Sequence, residues 1–427
     1  MGLTVLLGLL FLLMAIGVPV AFALGLASLA TCLVMDVPPV VAFQQMAAGM
    51  SAFSLMAIPF FIFAGDLMAR AGIAERLARL ASAGLGGVRG GLGPVSVGAT
   101  MLFCSLSGSA VASVSAMGST LVPLMKREGY DADYAVNVTT SAAVLGVLMP
   151  PSHNMIIYAA ATGGIAVSVA DLFMAGIVPG VLTAMALMVT AWIVAVRRGY
   201  PAGVFPGWRA FGRALVMALP GLFTAVIIVV GVFGGIFTPT ESSAIAVVYT
   251  AIVAAAIYRT LGWRDFARAA MAAVKTTAMI LLIIGTAGAF GWLLALNEAP
   301  AKLAELMALV SDDPIATLLM INIILLVLGT FMDMAPLVII TTPIFLPIAM
   351  SAGMSPVQFG VVMMLNQGIG LITPPVGTVQ FVGCAIGGIP VEKAMKTIWP
   401  FYGALFLALL AVTYVPAVTL WLPEALR

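Results

Sequence analysis

The sequence predicts an all-α polytopic membrane protein made of two inverted-topology repeats, each with a re-entrant hairpin and a broken helix. Hydrophobic residues make up 63% of the 427-residue chain and charged residues 8%, against about 25% charged residues in soluble proteins. Pro150-Pro151 and Pro374-Pro375 interrupt two apolar segments that lie 224 residues apart, and the same displacement aligns Gly146 with Gly370 without a gap. Composition alone rarely aligns prolines and glycines in this way. Internal repeats of interrupted apolar segments are typical of secondary transporters.

Composition and charge exclude several other functions. The net charge is +2 and no run of Lys or Arg exceeds two residues, which excludes a nucleic-acid-binding protein. Cys32, Cys104 and Cys384 lie in apolar stretches without CxxC spacing, so we expect neither a disulfide framework nor a zinc site. The glycine-rich stretch 84–93 lacks the Gly-Lys-Ser/Thr sequence of a phosphate-binding loop. The sequence therefore predicts no use of ATP and no organic cofactor.

A bilayer-spanning helix needs about 20 mostly apolar residues, and nine segments qualify. They are Leu3–Val34, Phe53–Ala69, Tyr134–Val167, Leu172–Val196, Leu215–Phe237, Ser243–Tyr258, Thr276–Leu296, Val357–Ile389 and Ile398–Trp421. The first is interpreted as a retained span, because it lacks a basic leader and is longer than a signal-peptide core. Three shorter segments of mixed polarity are predicted to lie along the interface, near Val37–Ser51, Trp263–Lys275 and Ala299–Val310. No remaining interval could form a soluble domain, so capture of a substrate from water would need another chain.

Two longer apolar blocks, Val95–Met125 and Ile315–Met350, are each interrupted near the centre by polar residues. The positive-inside rule assigns the arginine-rich loops that begin at Arg70, Arg197 and Arg259 to the cytoplasm. The first block has basic residues at both ends, which predicts a hairpin that enters and leaves from the cytoplasmic side. Acidic residues precede the second block, which predicts a hairpin open to the outside; they are Glu298, Glu305, Asp312 and Asp313. Nine crossings then connect a cytoplasmic N-terminus to an external C-terminus.

The predicted organisation has three parts. Residues 1–198 form the first inverted repeat, with its hairpin at 93–128 and its broken helix at 133–168. Residues 199–237 form a connecting span. Residues 238–427 form the second inverted repeat, with its hairpin at 314–352 and its broken helix at 357–390. Five crossings separate equivalent points of the repeats, and an odd number makes them inverted.

Each Pro-Pro pair is predicted to line a site, because broken backbone at membrane depth must be buried in protein or face a cavity. We call Pro150-Pro151 the first break and Pro374-Pro375 the second break. Since proline donates no N–H, the breaks are predicted to free the carbonyls of Gly146, Val147, Gly370 and Leu371. Such carbonyls suit a desolvated cation, whereas the N-terminal ends of half-helices suit an anion. The hairpins supply similar ends at the first tip (Ser105–Ser109) and the second tip (Gly329–Asp333).

The side chains at these places leave alternatives open. Small hydroxyl residues also allow membrane helices to pack closely. Asp333 is interpreted as functional, because an unpaired charge deep in the membrane is costly, although it could instead cap a helix or meet water. His153, the single histidine, is interpreted as a structural hydrogen-bonding residue. Glu241 is interpreted as the cap of the helix that follows an external turn.

Motifs through almost the whole chain resemble the large membrane subunit of the tripartite ATP-independent periplasmic (TRAP) transporters. They are Leu106-Ser107-Gly108-Ser109, Pro123 with Gly129-Tyr130, Pro150-Pro151-Ser152, Gly235-Ile236-Phe237-Thr238-Pro239-Thr240-Glu241, Phe331-Met332-Asp333 and Gly370-Leu371-Ile372-Thr373-Pro374-Pro375-Val376-Gly377. The resemblance implies an elevator-type secondary transporter of the bacterial inner membrane, driven by sodium and importing organic acids. It also implies two partners, a small membrane subunit and a periplasmic substrate-binding protein.

Carried onto this sequence, the resemblance implies two sodium sites, each between a tip and a break. The candidate sodium-binding residues are Ser105, Ser107, Gly108, Gly146, Val147, Pro150, Gly329, Thr330, Asp333, Gly370, Thr373 and Gly377. The candidate substrate-binding residues are Ser109, Ser152, Asn154, Ala335 and Thr378. Sodium-coupled import of an organic acid is the hypothesis. A passive channel is the alternative, since re-entrant loops also build selectivity filters, and an intramembrane enzyme is disfavoured because acidic and histidine residues do not cluster.

Overall fold

The computed structural model describes residues 2–85, 87–162, 164–202, 207–311 and 313–426. Asp312, part of the acidic stretch noted above, lies outside them. All regular secondary structure in the described residues is helical, and they contain no strand. In the first half, the helices are α1 (Gly2–Ala15), α2 (Val20–Val34), α3 (Pro39–Met50), α4 (Ala57–Arg70), α5 (Ile73–Leu85), α6 (Leu92–Ser107), α7 (Ala110–Arg127), α8 (Ala132–Ala143), α9 (Leu145–Leu148), α10 (His153–Ala161) and α11 (Val169–Arg197).

The second half repeats the same kinds of element. Its helices are α12 (Trp208–Phe233), α13 (Pro239–Ile252), α14 (Trp263–Leu296), α15 (Ala299–Ala308), α16 (Pro314–Gly329), α17 (Met334–Ser351), α18 (Pro356–Gly370), α19 (Thr378–Gly387), α20 (Val391–Met395), α21 (Trp399–Tyr414) and α22 (Pro416–Ala425). The all-α polytopic fold class predicted from the sequence is confirmed.

Both predicted hairpins are pairs of packed helices, α6 with α7 and α16 with α17. Gly108 ends α6 with a φ of +60°, in the left-handed region that glycine adopts without steric cost. Ser109 then caps the start of α7, since its hydroxyl accepts a hydrogen bond from the Ala112 N–H at 3.4 Å. Both predicted helix breaks are also present. At the first, the helix formed by residues 132–148 meets α10 at a bend of 48°; at the second, α18 ends at Gly370 and α19 begins at Thr378. Each break contains a cis peptide bond between its two prolines.

Two predicted spans and one predicted interfacial helix differ from the structure. Leu3–Val34 is two helices, α1 and α2, because Gly17 at a φ of +87° and Pro19 stop the first helix. Ile398–Trp421 is bent by 62° between α21 and α22, where Pro416 restricts the backbone of Val415. The interfacial helix expected over Trp263–Lys275 is instead the first part of α14, since neither glycine nor proline interrupts the sequence up to Thr276.

Six helices of the described chain are long and apolar enough to cross a membrane, and eight if each bent pair counts as one span. By the length and composition of its helices, the structure therefore contains fewer membrane crossings than the nine predicted from the sequence. The predicted cap at Glu241 is confirmed: its carboxylate accepts a hydrogen bond from the Thr238 N–H at 2.8 Å, and its own N–H donates to the Thr238 hydroxyl at 3.2 Å.

The two broken helices occupy the centre of the molecule. Every residue of α9 and nearly every residue of α8 and α18 is buried. The half-helix after each break packs on the hairpin of the other repeat: α10 packs on α17, and α19 packs on α7. Side-chain hydrogen bonds join these elements, including the Gln380 amide to the Asn137 carbonyl oxygen at 3.2 Å. On one side, α4 and α14 pack against each other and against the hairpins.

Candidate functional site

The first tip lies directly against the first broken helix. A Cβ placed on Gly146 would lie 2.8 Å from the carbonyl carbon of Ser109 and 3.0 Å from the Ala110 nitrogen, so no larger residue fits without displacing the tip. A Cβ on Gly108 would meet the carbonyl oxygen of Pro151. The two glycines therefore allow the backbones of the tip and the break to touch, as the sequence predicts for a shared site.

The hydroxyl groups of the first tip are mostly engaged within the hairpin. The Ser107 and Ser113 hydroxyls lie 2.9 Å apart, and the Ser105 hydroxyl donates to the Leu102 carbonyl at 2.8 Å. The Cys104 thiol donates to Ser113 at 3.3 Å. Ser113 was not among the predicted ligands, and its contact with Ser107 makes it a positioning residue for the tip.

The second tip meets the second broken helix in the same manner. A Cβ on Gly370 would lie 2.7 Å from both the carbonyl carbon and the carbonyl oxygen of Gly329. The Val376 N–H donates to the Thr330 carbonyl at 3.0 Å, which joins the tip to the loop after the prolines. The Thr330 and Thr373 hydroxyls donate to backbone carbonyls of their own helices, those of Val327 and Ile369. The second tip is thus held against the second broken helix by backbone contacts.

The two breaks differ in whether their backbone carbonyls accept hydrogen bonds. At the second break, the Gly370 carbonyl accepts the Thr373 N–H at 2.9 Å and the Leu371 carbonyl accepts the Val379 N–H at 3.0 Å. The prediction that the prolines leave these two carbonyls free is therefore wrong, because a local turn brings the Thr373 N–H to Gly370 and the first turn of α19 brings the Val379 N–H to Leu371. For Gly146 and Val147, no backbone donor from outside α9 is found among the described residues.

The two tips, the first break and two other helices enclose one cavity of about 780 Å³, which we call the inner cavity. Its volume falls in the usual range for small-molecule sites, about 300–1,000 Å³. Six of the predicted site residues line it: Ser107, Ser109, Val147, Asn154, Asp333 and Ala335. His153 also faces it and lies within hydrogen-bonding reach of the Gly108 backbone, consistent with the structural role inferred for it.

Eleven predicted site residues are outside this lining: Ser105, Gly108, Gly146, Pro150, Ser152, Gly329, Thr330, Gly370, Thr373, Gly377 and Thr378. Two of them, Ser152 and Thr378, carry buried hydroxyls for which the described part of the chain offers no hydrogen-bond partner, and the same holds for the side-chain amide of Gln367 in α18. Buried polar groups are nearly always bonded to protein, water or an ion. These atoms therefore remain available to a bound cation or water at the breaks.

Sequence reasoning missed the opposite wall of the inner cavity. One face of α4 contributes Ile62, Gly65, Asp66, Ala69 and Arg70, and α14 contributes Ala272, Ala273, Thr276, Met279, Ile280 and Ile283. A Cβ on Gly65 would lie 3.2 Å from Ser107, so α4 reaches the first tip. The available signal was Asp66, an acid inside the apolar segment Phe53–Ala69, which the sequence reading overlooked when it singled out Asp333.

Three helix N-termini point their first residues at the inner cavity. Ala110, Val111 and Ala112 of α7, His153 and Asn154 of α10, and Met334, Ala335 and Pro336 of α17 all line it. The unpaired N–H groups and the dipole of a helix N-terminus favour negative charge. Their convergence makes the cavity suitable for an anionic ligand.

The chain matches the family described as tripartite ATP-independent periplasmic transporter, DctM component, over residues 7–418. The chain belongs to the DctM family. The resemblance stated from the sequence motifs is thereby confirmed, and a DctM-family protein is a multi-pass membrane transporter component rather than an enzyme.

The DctM-family chain is similar to several known proteins, two of them named as TRAP transporter permeases. It is 43% identical over 98% of its length to the uncharacterized protein YgiK of Salmonella typhimurium, covering 96% of that protein. It is 38% identical over 97% of its length to the C4-dicarboxylate TRAP transporter large permease protein DctM of Vibrio cholerae, covering 95%. It is 37% identical over 98% of its length to the isethionate TRAP transporter permease protein DctMQ of Oleidesulfovibrio alaskensis, covering 66%.

Among solved structures, the DctM-family chain resembles the YdaH transporter of Alcanivorax borkumensis, with a TM-score of 0.60 over 90% of this chain and 88% of that one. The sequences are 13% identical, so the likeness concerns the fold alone.

Proposed function

We propose that this DctM-family permease is a secondary transporter that imports an organic anion with sodium. The single observation that supports this best is the inner cavity, where three helix N-termini and both hairpin tips converge. A site that attracts an anion through backbone dipoles can recognise the acidic group shared by many organic acids. The relatives named above are described as carrying C4-dicarboxylate and isethionate, which share only an anionic head group.

The sodium sites are proposed at the two places where a tip touches a break. Gly146 and Val147 offer carbonyls at the first, where Gly146 lies against the Ser109 backbone and Val147 lines the inner cavity together with Ser107 and Ser109. The carbonyls of Gly329, Thr330 and Gly370 surround the second, and each keeps a second lone pair even where one N–H is already bound. Asp333 lines the inner cavity, and its carboxylate would attract a cation that binds near the second tip. An ion at either place would hold tip and break together, which would couple its binding to the shape of the cavity.

The movement is proposed to be of the elevator type, in which the hairpins and broken helices travel together past a scaffold. The packing of α10 on α17 and of α19 on α7 supports a single moving unit, because each repeat holds part of the other. We place α4 and α14 in the scaffold, since they pack on each other and on α2, α3 and α13.

Orientation and partners complete the proposal. The basic loops after α4, α11 and α13 favour an inner-membrane protein with a cytoplasmic N-terminus and a periplasmic C-terminus. The inner cavity lies along the part of α4 that ends at Arg70 and reaches Ala272 of α14, four residues after Arg268, so it would open to the cytoplasm. A small membrane subunit and a periplasmic binding protein would complete the transporter, and the binding protein would capture the substrate from water.

The test is uptake into proteoliposomes that contain this chain with its small subunit, with the binding protein outside. Labelled succinate, sialic acid and isethionate would be supplied with and without an inward sodium gradient. We expect accumulation of at least one acid that requires sodium and is lost on Asp333→Ala. The matched control is Asp313→Ala, which removes an acid from the other end of the same hairpin, where it caps α16.

Flux that is not concentrative and does not saturate would favour a channel and contradict coupled transport. Accumulation driven by a proton gradient alone would overturn the choice of sodium. Equal uptake by Asp333→Ala and Asp313→Ala would remove Asp333 from the site.

A further inference from the structure

Of the described residues that line the inner cavity, Arg70 is the only Lys or Arg. It ends α4, and it lies five residues beyond Gly65, which touches Ser107 of the first tip. At 1.5 Å of rise per residue, Arg70 is about 7–8 Å from the tip along the helix axis. An anion that leaves the tip along this wall therefore passes the guanidinium group.

The bonding of Arg70 leaves most of its donors available. Its Nε donates to the Asp66 carboxylate at 2.9 Å, with both side chains about one third exposed. Among the described residues no acceptor is found for its two terminal amino groups. An arginine side chain has five N–H donors in a fork that matches a carboxylate, so Arg70 can bind a second acidic group while Asp66 holds its orientation.

Two other basic residues near the cavity, Arg76 and Lys275, do not combine free donors with a place on its wall. Arg76 donates to the carbonyls of Ala71 and Gly72 and lies 3.8 Å from the centre of the Tyr258 ring. Lys275, on α14 beside the lining residue Thr276, is exposed and does not line the cavity. Among these three residues, only Arg70 both lines the inner cavity and keeps N–H donors available.

We infer that Arg70, positioned by Asp66, binds the anionic group of the substrate as it passes from the tips to the cytoplasm. This inference rests on the proposed function. A purely structural role is the alternative, because an arginine at a helix C-terminus and an (i, i+4) ion pair each stabilise a helix slightly. That role predicts a change in protein stability and no change in affinity for the internal acid.

The experiment measures how unlabelled acid inside the proteoliposomes inhibits sodium-driven uptake. Because the binding protein is added only outside, only right-side-out copies contribute to the signal. The probe is whichever of succinate, sialic acid and isethionate the wild type accumulates. Arg70→Gln should raise the internal concentration that halves uptake by about 5- to 10-fold, the effect of losing a charge-assisted bond at a partly exposed place. The half-saturating external sodium concentration should stay unchanged.

Arg268→Gln is the matched control, since Arg268 forms a similar ion pair with Asp265 at the start of α14, outside the cavity. Arg70→Lys keeps the positive charge but loses the forked donors of the guanidinium group, so we expect a smaller rise in the internal concentration that halves uptake. This variant also provides the measurement if Arg70→Gln is inactive. Internal inhibition equal to that of Arg268→Gln in both Arg70 variants would overturn the inference while leaving sodium-coupled import standing. A wild type that accumulates none of the acids would overturn the proposed function and the inference with it.

Discussion

One methyl group at Gly370 should separate the second tip from the second break. The new Cβ would lie 2.7 Å from the carbonyl carbon and oxygen of Gly329 and 2.9 Å from its Cα. These are backbone atoms, so no side chain can rotate away, and normal contact requires the tip to retreat by about 0.7 Å. Overpacking of this kind costs about 1–3 kcal/mol. If sodium binds only where tip and break touch, the half-saturating sodium concentration should rise by about 5- to 140-fold.

The assay is sodium-dependent uptake in proteoliposomes, with the amount of inserted protein measured in parallel. Two glycine variants serve as matched controls. Gly329→Ala occupies the other side of the same contact, but its Cβ would lie at an ordinary 3.4 Å from the Gly370 Cα. Gly403→Ala, within α21, meets no atom within 4 Å and should gain up to about 1 kcal/mol of helix stability.

We therefore expect an asymmetric result, in which Gly370→Ala fails at low sodium while Gly329→Ala and Gly403→Ala behave as the wild type does. Gly146→Ala should resemble Gly370→Ala, because its Cβ would lie 2.8 Å from the Ser109 backbone. Wild-type sodium dependence in Gly370→Ala would refute the reasoning, since it would mean that the contact can open without consequence for the ion.

Three further predictions concern the cytoplasmic end and the polar core. Arg198→Gln breaks the 3.0 Å bond to the Asp133 carboxylate and should lower the free energy of unfolding by about 1–3 kcal/mol; a midpoint no lower than that of Arg268→Gln in thermal denaturation would contradict this. Burial, and donation of its hydroxyl hydrogen to Asp131, raise the pKa of Tyr200 to about 12, so stability should fall as pH rises from about 10 to about 12. Tyr200→Phe should lessen that fall, and equal losses in both proteins during an alkaline titration would show that Tyr200 is not responsible. Asn366→Leu removes the two hydrogen bonds of its amide to Asn322, at 2.8 and 2.9 Å, and should lower the free energy of unfolding by about 1–3 kcal/mol. Ser119→Ala, at an exposed position, is the control, and a loss of stability in Asn366→Leu no greater than that in Ser119→Ala would show that these hydrogen bonds do not stabilise the fold.

Local chemistry explains what could be predicted without the structure. The two Pro-Pro pairs mark helix breaks in any surroundings, because proline lacks an N–H and clashes with the preceding turn. Ser107-Gly108-Ser109 marks a tip for a similar reason, since Gly108 supplies the left-handed conformation and Ser109 the cap. The repeat of 224 residues predicted that these features would occur twice.

Long-range contact explains what could not be predicted. The carbonyl of Leu371 is engaged because α19 folds back on it, and no local rule foresees that return. The opposite wall of the inner cavity comes from α4 and α14. Their apolar sequences resemble those of lipid-facing helices, so the sequence alone does not place them at a cavity.

The sequence by itself determined the membrane class of this protein, its internal repeat and the positions of its tips and breaks, because composition and the conformational limits of Pro and Gly act within a few residues. Only the tertiary structure decided which tip touches which glycine, which carbonyls stay free and that Arg70 shares a cavity with Asp333. Those outcomes depend on how helices far apart in the chain pack against one another, which the periodicity of a single helix does not encode.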